Sequence, residues 1–367
     1  MADPQDIIRA DVRAMTAYPV ADARGMIKLD AMENPYALPE ALRRELAQVL
    51  SECAINRYPD PTAPALKQRL REVMGLKPEW EVLLGNGSDE IIQIMVQCCA
   101  RPGAVVMAPT PAFVMYKVYS LIAGAEFVGV PLRPDFSLDT ERMLAELRAR
   151  RPAIVFIAYP NNPTGNLYSE QDIIAIAEAA PGLVVIDEAY QPFAGNSLIG
   201  LLDRYRHVVL LRTVSKLGLA GLRLGYAVGH PEWVREFDKV RSPYNVNVLT
   251  QAAAEWILRR HELLDAQAAS IRAGREALFK AMAALPGVQP FPSAANFILG
   301  RVPDAPRLVA GLAQRRVLIK SLHGAHPLLE QCIRVTVGTE AENAAFLDAL
   351  RAGLAELHGG LSPMARP

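Results

Sequence analysis

Residues 153–165 have the sequence AIVFIAYPNNPTG, and this stretch decides the fold. Its first half is an almost continuous apolar run, Ile154–Ile157, which is typical of a strand buried on both faces of a sheet. Its second half contains Pro and Gly in an order that favours a turn. Two comparable apolar runs follow along the chain, Leu183–Ile186 and Val208–Leu211, and each also ends in polar residues. Three buried strands of this kind indicate a parallel sheet.

Similar strands alternate with amphipathic helical stretches from about residue 80 to 230. Apolar residues recur at helical spacing within 138–147 until Pro152, and a further helix is predicted to begin at Ser169, with Asp172 three residues on as part of its cap. This alternation predicts an α/β fold with a mainly parallel sheet covered by helices. The predicted strands are Gly103–Ala108, Glu126–Leu132, Ala153–Ala158, Leu183–Ile186, Val208–Leu211 and Leu224–Val228.

A second, smaller α+β domain is predicted beyond two long helical stretches that begin near Val248 and His261. Strand-like segments there mix with helices, with strands predicted at Asn296–Leu299, Val317–Ile319 and Ile333–Val337, and helices at Arg307–Gln314 and Glu340–Leu357. We therefore predict an N-terminal arm at residues 1–35, which packs on the smaller domain or on a partner subunit. A large domain at 36–265 and a small C-terminal domain at 266–367 follow it.

Composition narrows the class of protein. The 39 basic residues balance 39 acidic ones, so no global field attracts nucleic acid or an anionic membrane surface. No apolar run approaches the length that crosses a bilayer, and the acidic N-terminus lacks the features of a secretory signal. The four cysteines show no CxxC spacing. These features predict a cytoplasmic protein with reduced thiols and without nucleic-acid or membrane partners.

Three polar side chains stand where strands end. Asn162, Asp187 and Lys216 each follow one of the buried runs, and ligands of open α/β sheets bind beyond the carboxyl ends of the strands. Alone, each signal is weak, because such a lysine is usually a solvated surface residue and such an aspartate a turn or cap residue. Together they supply an amine that forms an imine, a carboxylate for a ring nitrogen and a donor to a phenolic oxygen. Pyridoxal phosphate requires this set.

A phosphate site is predicted where Gly85–Glu90 leads into an apolar helical run. Free backbone N–H groups at a helix N-terminus favour an anion. An ordinary Ser/Asp helix cap explains this segment equally well when it is taken alone, but the neighbouring strand exits favour the phosphate site. The segment does not satisfy the GxGxxG dinucleotide motif, because Glu90 stands at its third glycine.

Eight motifs occur in order along the chain: Leu29–Tyr36, Asn56–Pro61, Gly85–Glu90, Asn162–Gly165, Asp187–Tyr190, Ser215–Tyr226, Ser293–Ile298 and Ile333–Thr339. With them the chain resembles the fold-type-I pyridoxal-phosphate-dependent transferases, and within their class II subgroup the histidinol-phosphate aminotransferases, over nearly its whole length. The resemblance implies a large domain with a seven-stranded type of sheet, a smaller α+β domain and a homodimer with shared active sites.

The resemblance also implies roles for individual residues. Lys216, Asp187 and Tyr190 are the implied catalytic residues, and Phe113 would stack on the pyridine ring. Arg334 would clamp the anionic end of the substrate. The implied cofactor site comprises Gly87, Ser88, Asp89, Phe113, Asn162, Asp187, Tyr190, Thr213, Ser215, Lys216 and Arg223, with Tyr58 from the neighbouring subunit. The implied substrate site comprises Tyr18, Asn34, Tyr244, Lys320 and Arg334.

Three positions depart from the family pattern. Met32 replaces a common amide, Phe113 a commoner tyrosine, and Lys320 a second arginine for the substrate phosphate. Lysine keeps the charge but loses the bidentate geometry of arginine.

The implied reaction is transfer of an amino group between glutamate or 2-oxoglutarate and imidazole-acetol phosphate or histidinol phosphate, in histidine biosynthesis. Alternatives are an aromatic or broad-specificity aminotransferase and a phosphothreonine-type decarboxylase, which would use the same lysine, aspartate and asparagine. A non-catalytic regulator is disfavoured because no basic helix pair precedes the motifs. We predict no metal site: Gly324 and Pro327 favour a loop around His323 and His326, which suits a structural role or a place at the substrate entrance.

Overall fold

A seven-stranded sheet forms the centre of the larger lobe in the computed structural model, which describes residues 3–17 and 19–359. The order of its strands is β2-β8-β7-β6-β5-β3-β4, and within this sheet β8 runs opposite to the others. The α/β fold class with a mainly parallel sheet is therefore confirmed. The strands are β2 (Glu81–Asn86), β3 (Val105–Thr110), β4 (Glu126–Pro131), β5 (Ile154–Ala158), β6 (Leu183–Asp187), β7 (Val208–Thr213) and β8 (Leu224–Gly229).

The side chains of β5 show why this sheet is covered on both faces. Val155 and Ile157 pack into one core cluster with the helices at Pro64–Met74, Thr140–Arg150, Glu170–Ala179 and Val248–Leu258. Ile154 and Phe156 pack into another cluster with the helices at Ser88–Cys99, Met115–Ile122 and Pro231–Val240. Each fully buried side chain of this size contributes about 1.5–3 kcal/mol to the free energy of folding. The apolar run at 154–157 is thus explained by burial on both faces.

Fifteen helices are present within the described ranges. Ser169 occupies the N-cap of α8 as predicted, but its side chain makes no capping hydrogen bond. The helices are α1 (Pro4–Ile7), α2 (Ala10–Arg13), α3 (Glu40–Ser51), α4 (Pro64–Met74), α5 (Ser88–Cys99), α6 (Met115–Ile122), α7 (Thr140–Arg150), α8 (Glu170–Ala179), α9 (Gln191–Ala194), α10 (Leu201–Arg204), α11 (Pro231–Val240), α12 (Val248–Leu258), α13 (His261–Ala283), α14 (Ala305–Gln314) and α15 (Glu340–Gly359). None of the helices in these ranges has the length and apolar character to cross a bilayer.

Two features of the sheet differ from the sequence prediction. Edge strand β2 was not predicted, because its three apolar residues lead directly into a Gly-Asn-Gly sequence that is typical of a turn. It pairs antiparallel with β8, with Gly85 opposite Gly225. Strand β7 also extends past its predicted end at Leu211. Arg212 stays buried within it because its Nη2 pairs with Oε2 of Glu188 at 2.7 Å.

The smaller lobe contains an antiparallel sheet of order β12-β13-β10-β9 and a parallel pair, β1 and β11. Leu29 and Met32, next to β1, are buried in the core of this lobe. Arg9, by contrast, donates to the carbonyl oxygens of Leu121 and Ile122 on the larger lobe, a contact that the sequence did not predict. The strands are β1 (Ile27–Lys28), β9 (Gln289–Pro290), β10 (Phe297–Arg301), β11 (Val317–Leu318), β12 (Lys320–Ser321) and β13 (Cys332–Thr336).

Helix α13 connects the two lobes. Leu264 near its start belongs to the core of the larger lobe, whereas Ala268, Ile271 and Leu278 belong to the core of the smaller one. The helix thus passes from the core of the larger lobe into that of the smaller one next to the predicted boundary between residues 265 and 266. The exact limits of the domains stay a prediction.

Candidate active site

A cavity lies at the carboxyl ends of β5, β6 and β7, where the sequence placed Asn162, Asp187 and Lys216. All three side chains line it. Parallel strands end at one edge of a sheet, so residues far apart in sequence meet there. The other residues that line this cofactor cavity are Met32, Ser88, Asp89, Phe113, Tyr116, Ala158, Pro160, Ala189, Tyr190, Thr213, Ser215 and Arg223.

Asp187 is the buried carboxylate of the cavity. Its Oδ2 accepts a hydrogen bond from the hydroxyl of Tyr116 at 2.6 Å, and its Oδ1 accepts one from the backbone N–H of Ala189 at 3.0 Å. Burial raises the pKa of Asp187 to about 6, although both hydrogen bonds oppose that rise. At neutral pH the side chain is therefore ionised but poorly solvated, which costs free energy. A protonated ring nitrogen beside it would reduce that cost by pairing with the charge.

Lys216 supplies the amine. It lies partly buried in a 3-10 segment, Ser215–Leu217, and its Nζ donates to the carbonyl oxygen of Ala31 at 3.3 Å. Nζ also lies 5.8 Å from the ring centroid of Tyr190. Burial, and then the positive charge of Arg334, lower the pKa of Lys216 to about 8. A larger fraction of neutral, nucleophilic amine is therefore present near neutral pH than for a solvated lysine.

The N-terminus of α5 forms the anion end of the cavity. Gly87 precedes the helix with φ +83°, and a Cβ there would lie 2.5 Å from Nη2 of Arg223. A Cβ on Gly225 would lie 2.3 Å from the backbone nitrogen of Ser88, so β8 packs directly against this end. Nη2 of Arg223 lies 3.2 Å from Oδ2 of Asp89. Backbone N–H groups, hydroxyls and a guanidinium together suit a phosphate.

Asn162 connects the two lobes across the cavity. Its Nδ2 donates to the hydroxyl of Tyr190 at 3.3 Å, and its Oδ1 accepts from Nη1 of Arg334 at 2.6 Å. Nη2 of Arg334 donates to the carbonyl oxygen of Asp30 at 3.1 Å. The arginine of β13 is thus held over the cofactor cavity.

A second cavity opens beside the first and shares Met32, Phe113 and Asn162 with it. We call it the substrate cavity. Three cations line it, namely Lys117, Lys320 and Arg334, and no carboxylate does so among the described residues. Lys320 is directly opposite Arg334 in the β12–β13 pair, so both side chains emerge on one face of that sheet.

Three predicted residues line neither cavity, namely Tyr58, Tyr244 and Asn34. The rings of Tyr58 and Tyr244 stack on each other at 4.4 Å, and Tyr58 is 80% exposed, so in a single chain it lines neither cavity. Asn34 also lines neither cavity. Its Nδ2 donates to the backbone oxygen of Leu217 and to Oε1 of Gln267, which are structural contacts. Tyr18 lies outside the described residues.

Sequence analysis did not identify Tyr116 and Lys117. Both lie on α6 rather than at a strand exit, and Lys117 is exposed like an ordinary surface lysine. The rings of Phe113 and Tyr116 pack edge to face at 5.6 Å, but Phe113 precedes the helix, so helical spacing gave no signal for this contact. No group of three or more potential metal ligands occurs in ranges 3–17 and 19–359.

The observed groups fit the expected cofactor. A half-buried amine with a lowered pKa suits an aldehyde, and a desolvated carboxylate suits a protonated ring nitrogen. The close approach of Gly225 to the N-terminus of α5 leaves backbone N–H groups at the anion end.

Comparisons with known proteins identify the family of the chain. A family model described as aminotransferase class I and II matches residues 24–350. Histidinol-phosphate aminotransferase 1 of Burkholderia mallei is 58% identical over 355 residues, which cover 96% of this chain and 100% of that protein. The protein of the same name from Ralstonia nicotianae is 57% identical over 353 residues, 95% of this chain and 94% of its own. The crystal structure of histidinol-phosphate aminotransferase from Sinorhizobium meliloti in complex with pyridoxal-5'-phosphate has a TM-score of 0.85 at 26% identity, covering 95% of this chain and 97% of that one.

Proposed function

The chain belongs to the class I and II aminotransferases and, within them, to the histidinol-phosphate aminotransferases, and from this premise we propose how its residues act. It is a pyridoxal-phosphate-dependent transaminase of histidine biosynthesis, which moves an amino group between glutamate and imidazole-acetol phosphate. The observation that carries the assignment of roles is the meeting of Lys216 and Asp187 at the N-terminal end of α5.

Lys216 would hold the aldehyde of the cofactor, and its amine would move a proton at the Cα of the substrate. Its lowered pKa favours both tasks, because each needs the neutral amine. When bound, pyridoxal phosphate supplies a protonated ring that withdraws electrons from that carbon. Asp187 would keep the ring nitrogen protonated, and Tyr116 keeps Asp187 ionised and fixed in direction. Asn162 and Tyr190 would orient the phenolic oxygen.

The substrate cavity binds the anionic end of each substrate. Lys320 and Arg334 lie on one face of the β12–β13 pair, and Lys117 faces the same cavity from α6. Three cations without a carboxylate among the described lining residues suit a dianionic phosphate. The same cations accept the side-chain carboxylate of glutamate, which explains how one cavity serves both half-reactions.

The active form is a cytoplasmic homodimer in this proposal. Tyr58 and Tyr244 form an exposed aromatic pair away from both cavities of their own chain. A second subunit would cover this pair and receive Tyr58 at its cofactor phosphate. Sedimentation of the purified protein tests the dimer.

The decisive experiment is a half-reaction assay. Purified protein loaded with pyridoxal phosphate is mixed in turn with histidinol phosphate, glutamate, tyrosine, phenylalanine and phosphothreonine, and cofactor absorbance is followed. Histidinol phosphate and glutamate should convert the cofactor fastest. Preference for tyrosine or phenylalanine would instead indicate an aromatic aminotransferase, and release of CO2 from phosphothreonine a decarboxylase. Lys216→Ala should lose the protein-bound cofactor absorbance and turnover while keeping the fold.

A further inference from the structure

The imidazole of His326 is held by the backbone in one defined orientation. Its Nδ1 accepts a hydrogen bond from the backbone N–H of Leu328 at 3.2 Å and so caps the 3-10 segment Pro327–Leu329. A backbone N–H can only donate, so Nδ1 must carry the lone pair. In the neutral ring the proton then resides on Nε2. Partial burial lowers the pKa of His326, which favours this neutral form.

His326 lines the substrate cavity, and within the described part of the chain no hydrogen bond engages its Nε2. The lining of the same cavity also includes the apolar side chains Val114, Phe127, Leu322 and Leu329. Such a lining suits a flat ring, and His326 presents one N–H donor to a ring that enters.

A substrate of the proposed reaction branches at the reacting carbon into an anionic arm and a ring arm. The anionic arm is drawn to the cations on the β12–β13 pair, so the ring arm is left with the uncharged part of the lining, to which the neutral His326 belongs. A neutral imidazole has one unprotonated nitrogen that can accept a hydrogen bond, whereas a phenyl ring has none.

We propose that Nε2–H of His326 donates to the unprotonated ring nitrogen of the substrate's imidazole, which makes His326 a specificity-determining residue. This inference rests on the proposed function and deepens it by naming the group that distinguishes imidazole from other rings. A bound phenyl ring would cover the Nε2–H donor of the partly buried His326 without offering it an acceptor. Loss of the donor's contact with water then disfavours the phenyl substrate, in addition to the hydrogen bond that favours the imidazole one.

The test compares three amino donors in the half-reaction: histidinol phosphate, its analogue with phenyl in place of imidazole (2-amino-3-phenylpropyl phosphate), and glutamate. The variant is His326→Asn, because asparagine is a favourable N-cap and its side-chain oxygen can still accept from Leu328. The matched control is His323→Asn. His323 lies in the same loop, where its Nδ1 accepts from the backbone N–H of Gln331, and it does not line the substrate cavity.

We expect His326→Asn to lower the second-order rate constant for histidinol phosphate about 10-fold, the effect of one lost hydrogen bond. The constants for the phenyl analogue and glutamate should change by less than about twofold, as should all three constants in His323→Asn. An unchanged ratio of histidinol phosphate to phenyl analogue, or an equal fall for all three donors, overturns the inference. If His326→Asn folds poorly, His326→Ser retains a capping oxygen and gives the same comparison.

The outcomes separate this inference from the function on which it rests. If wild-type protein reacts with glutamate but with neither histidinol phosphate nor its phenyl analogue, both the proposed function and the role of His326 are wrong. Wild-type protein that prefers histidinol phosphate, combined with an unchanged ratio in His326→Asn, overturns only the role of His326.

Discussion

Replacing Asp187 by asparagine should stabilise the cofactor-free protein while abolishing its chemistry. The carboxylate is buried and its pKa is raised to about 6, which means that the native state resists its ionisation. Asparagine has nearly the same shape and no charge. Its oxygen can accept from the N–H of Ala189, and its NH2 group can donate to the hydroxyl of Tyr116 once that hydroxyl rotates.

The size of the effect follows from the pKa. In the unfolded chain Asp187 ionises near its ordinary value of 3.8, and in the native state near 6. The native state therefore binds more protons between these values, so stability falls as pH rises from about 4 to about 6. Two pH units at 1.36 kcal/mol each give about 3 kcal/mol at pH 7. Asp187→Asn removes this cost, and its advantage over wild type should grow by about 1 kcal/mol between pH 5 and 7 and then level off.

Denaturant unfolding of both cofactor-free proteins at pH 5, 6, 7 and 8 measures this difference. Added pyridoxal phosphate should stabilise wild type much more than the variant, because asparagine offers no charge to a protonated ring nitrogen. A variant that is less stable than wild type at pH 7, or whose advantage shrinks as pH rises, would refute the reasoning.

Three further predictions concern neighbouring groups. Tyr116→Phe removes a hydrogen bond to a charged group and should raise the pKa of Asp187 by about 1–2 pH units. As pH is lowered, the variant should therefore lose affinity for the cofactor at a higher pH than wild type does. If the dissociation constant of the variant rises at the same acidic pH as that of wild type, the prediction is wrong. The rate at which cofactor-free protein captures pyridoxal phosphate should rise with pH through about 8, because only the neutral amine of Lys216 reacts; a rise confined to pH values above 10 would show an ordinary lysine. Gly225→Ala should weaken cofactor binding by about 10-fold or more, since its Cβ would lie 2.3 Å from the nitrogen of Ser88. Gly221→Ala, which meets nothing within 4 Å, is the control, and equal affinities in the two variants would exclude the steric argument.

The sequence predicted the parts of the fold in which local pattern and burial agree. All six predicted strands of the large sheet lie within two residues of observed ones. The pattern is clearest in β5, β6 and β7, where an apolar run buried on both faces is followed abruptly by polar residues. Edge strand β2 was not predicted, because it forms by pairing with β8, a long-range contact that outweighs its turn-like local sequence.

The candidate site likewise contains residues that the sequence predicted and contacts that it could not predict. Residues that follow parallel strands lie at one edge of the sheet, so the sequence alone predicted that Asn162, Asp187 and Lys216 line one cavity. Contacts between segments that are distant in sequence could not be predicted. Nothing in the sequence around Arg334 shows that its guanidinium meets an amide 172 residues earlier, and nothing around Tyr116 shows that its hydroxyl lies on Asp187.

Helix α13 fixes the relation between the two halves of the catalytic apparatus. One uninterrupted rod of 23 residues begins in the core that carries Lys216 and continues into the core that carries Arg334. Each residue of an α-helix advances the chain by about 1.5 Å and turns it by about 100°. Inserting or deleting a single residue in α13 would rotate the smaller lobe about the helix axis relative to the larger one. The guanidinium of Arg334 would then move away from the amine of Lys216, although each would stay in its own folded lobe. The length of α13 is thus as much a determinant of catalytic alignment as any side chain in the cavity.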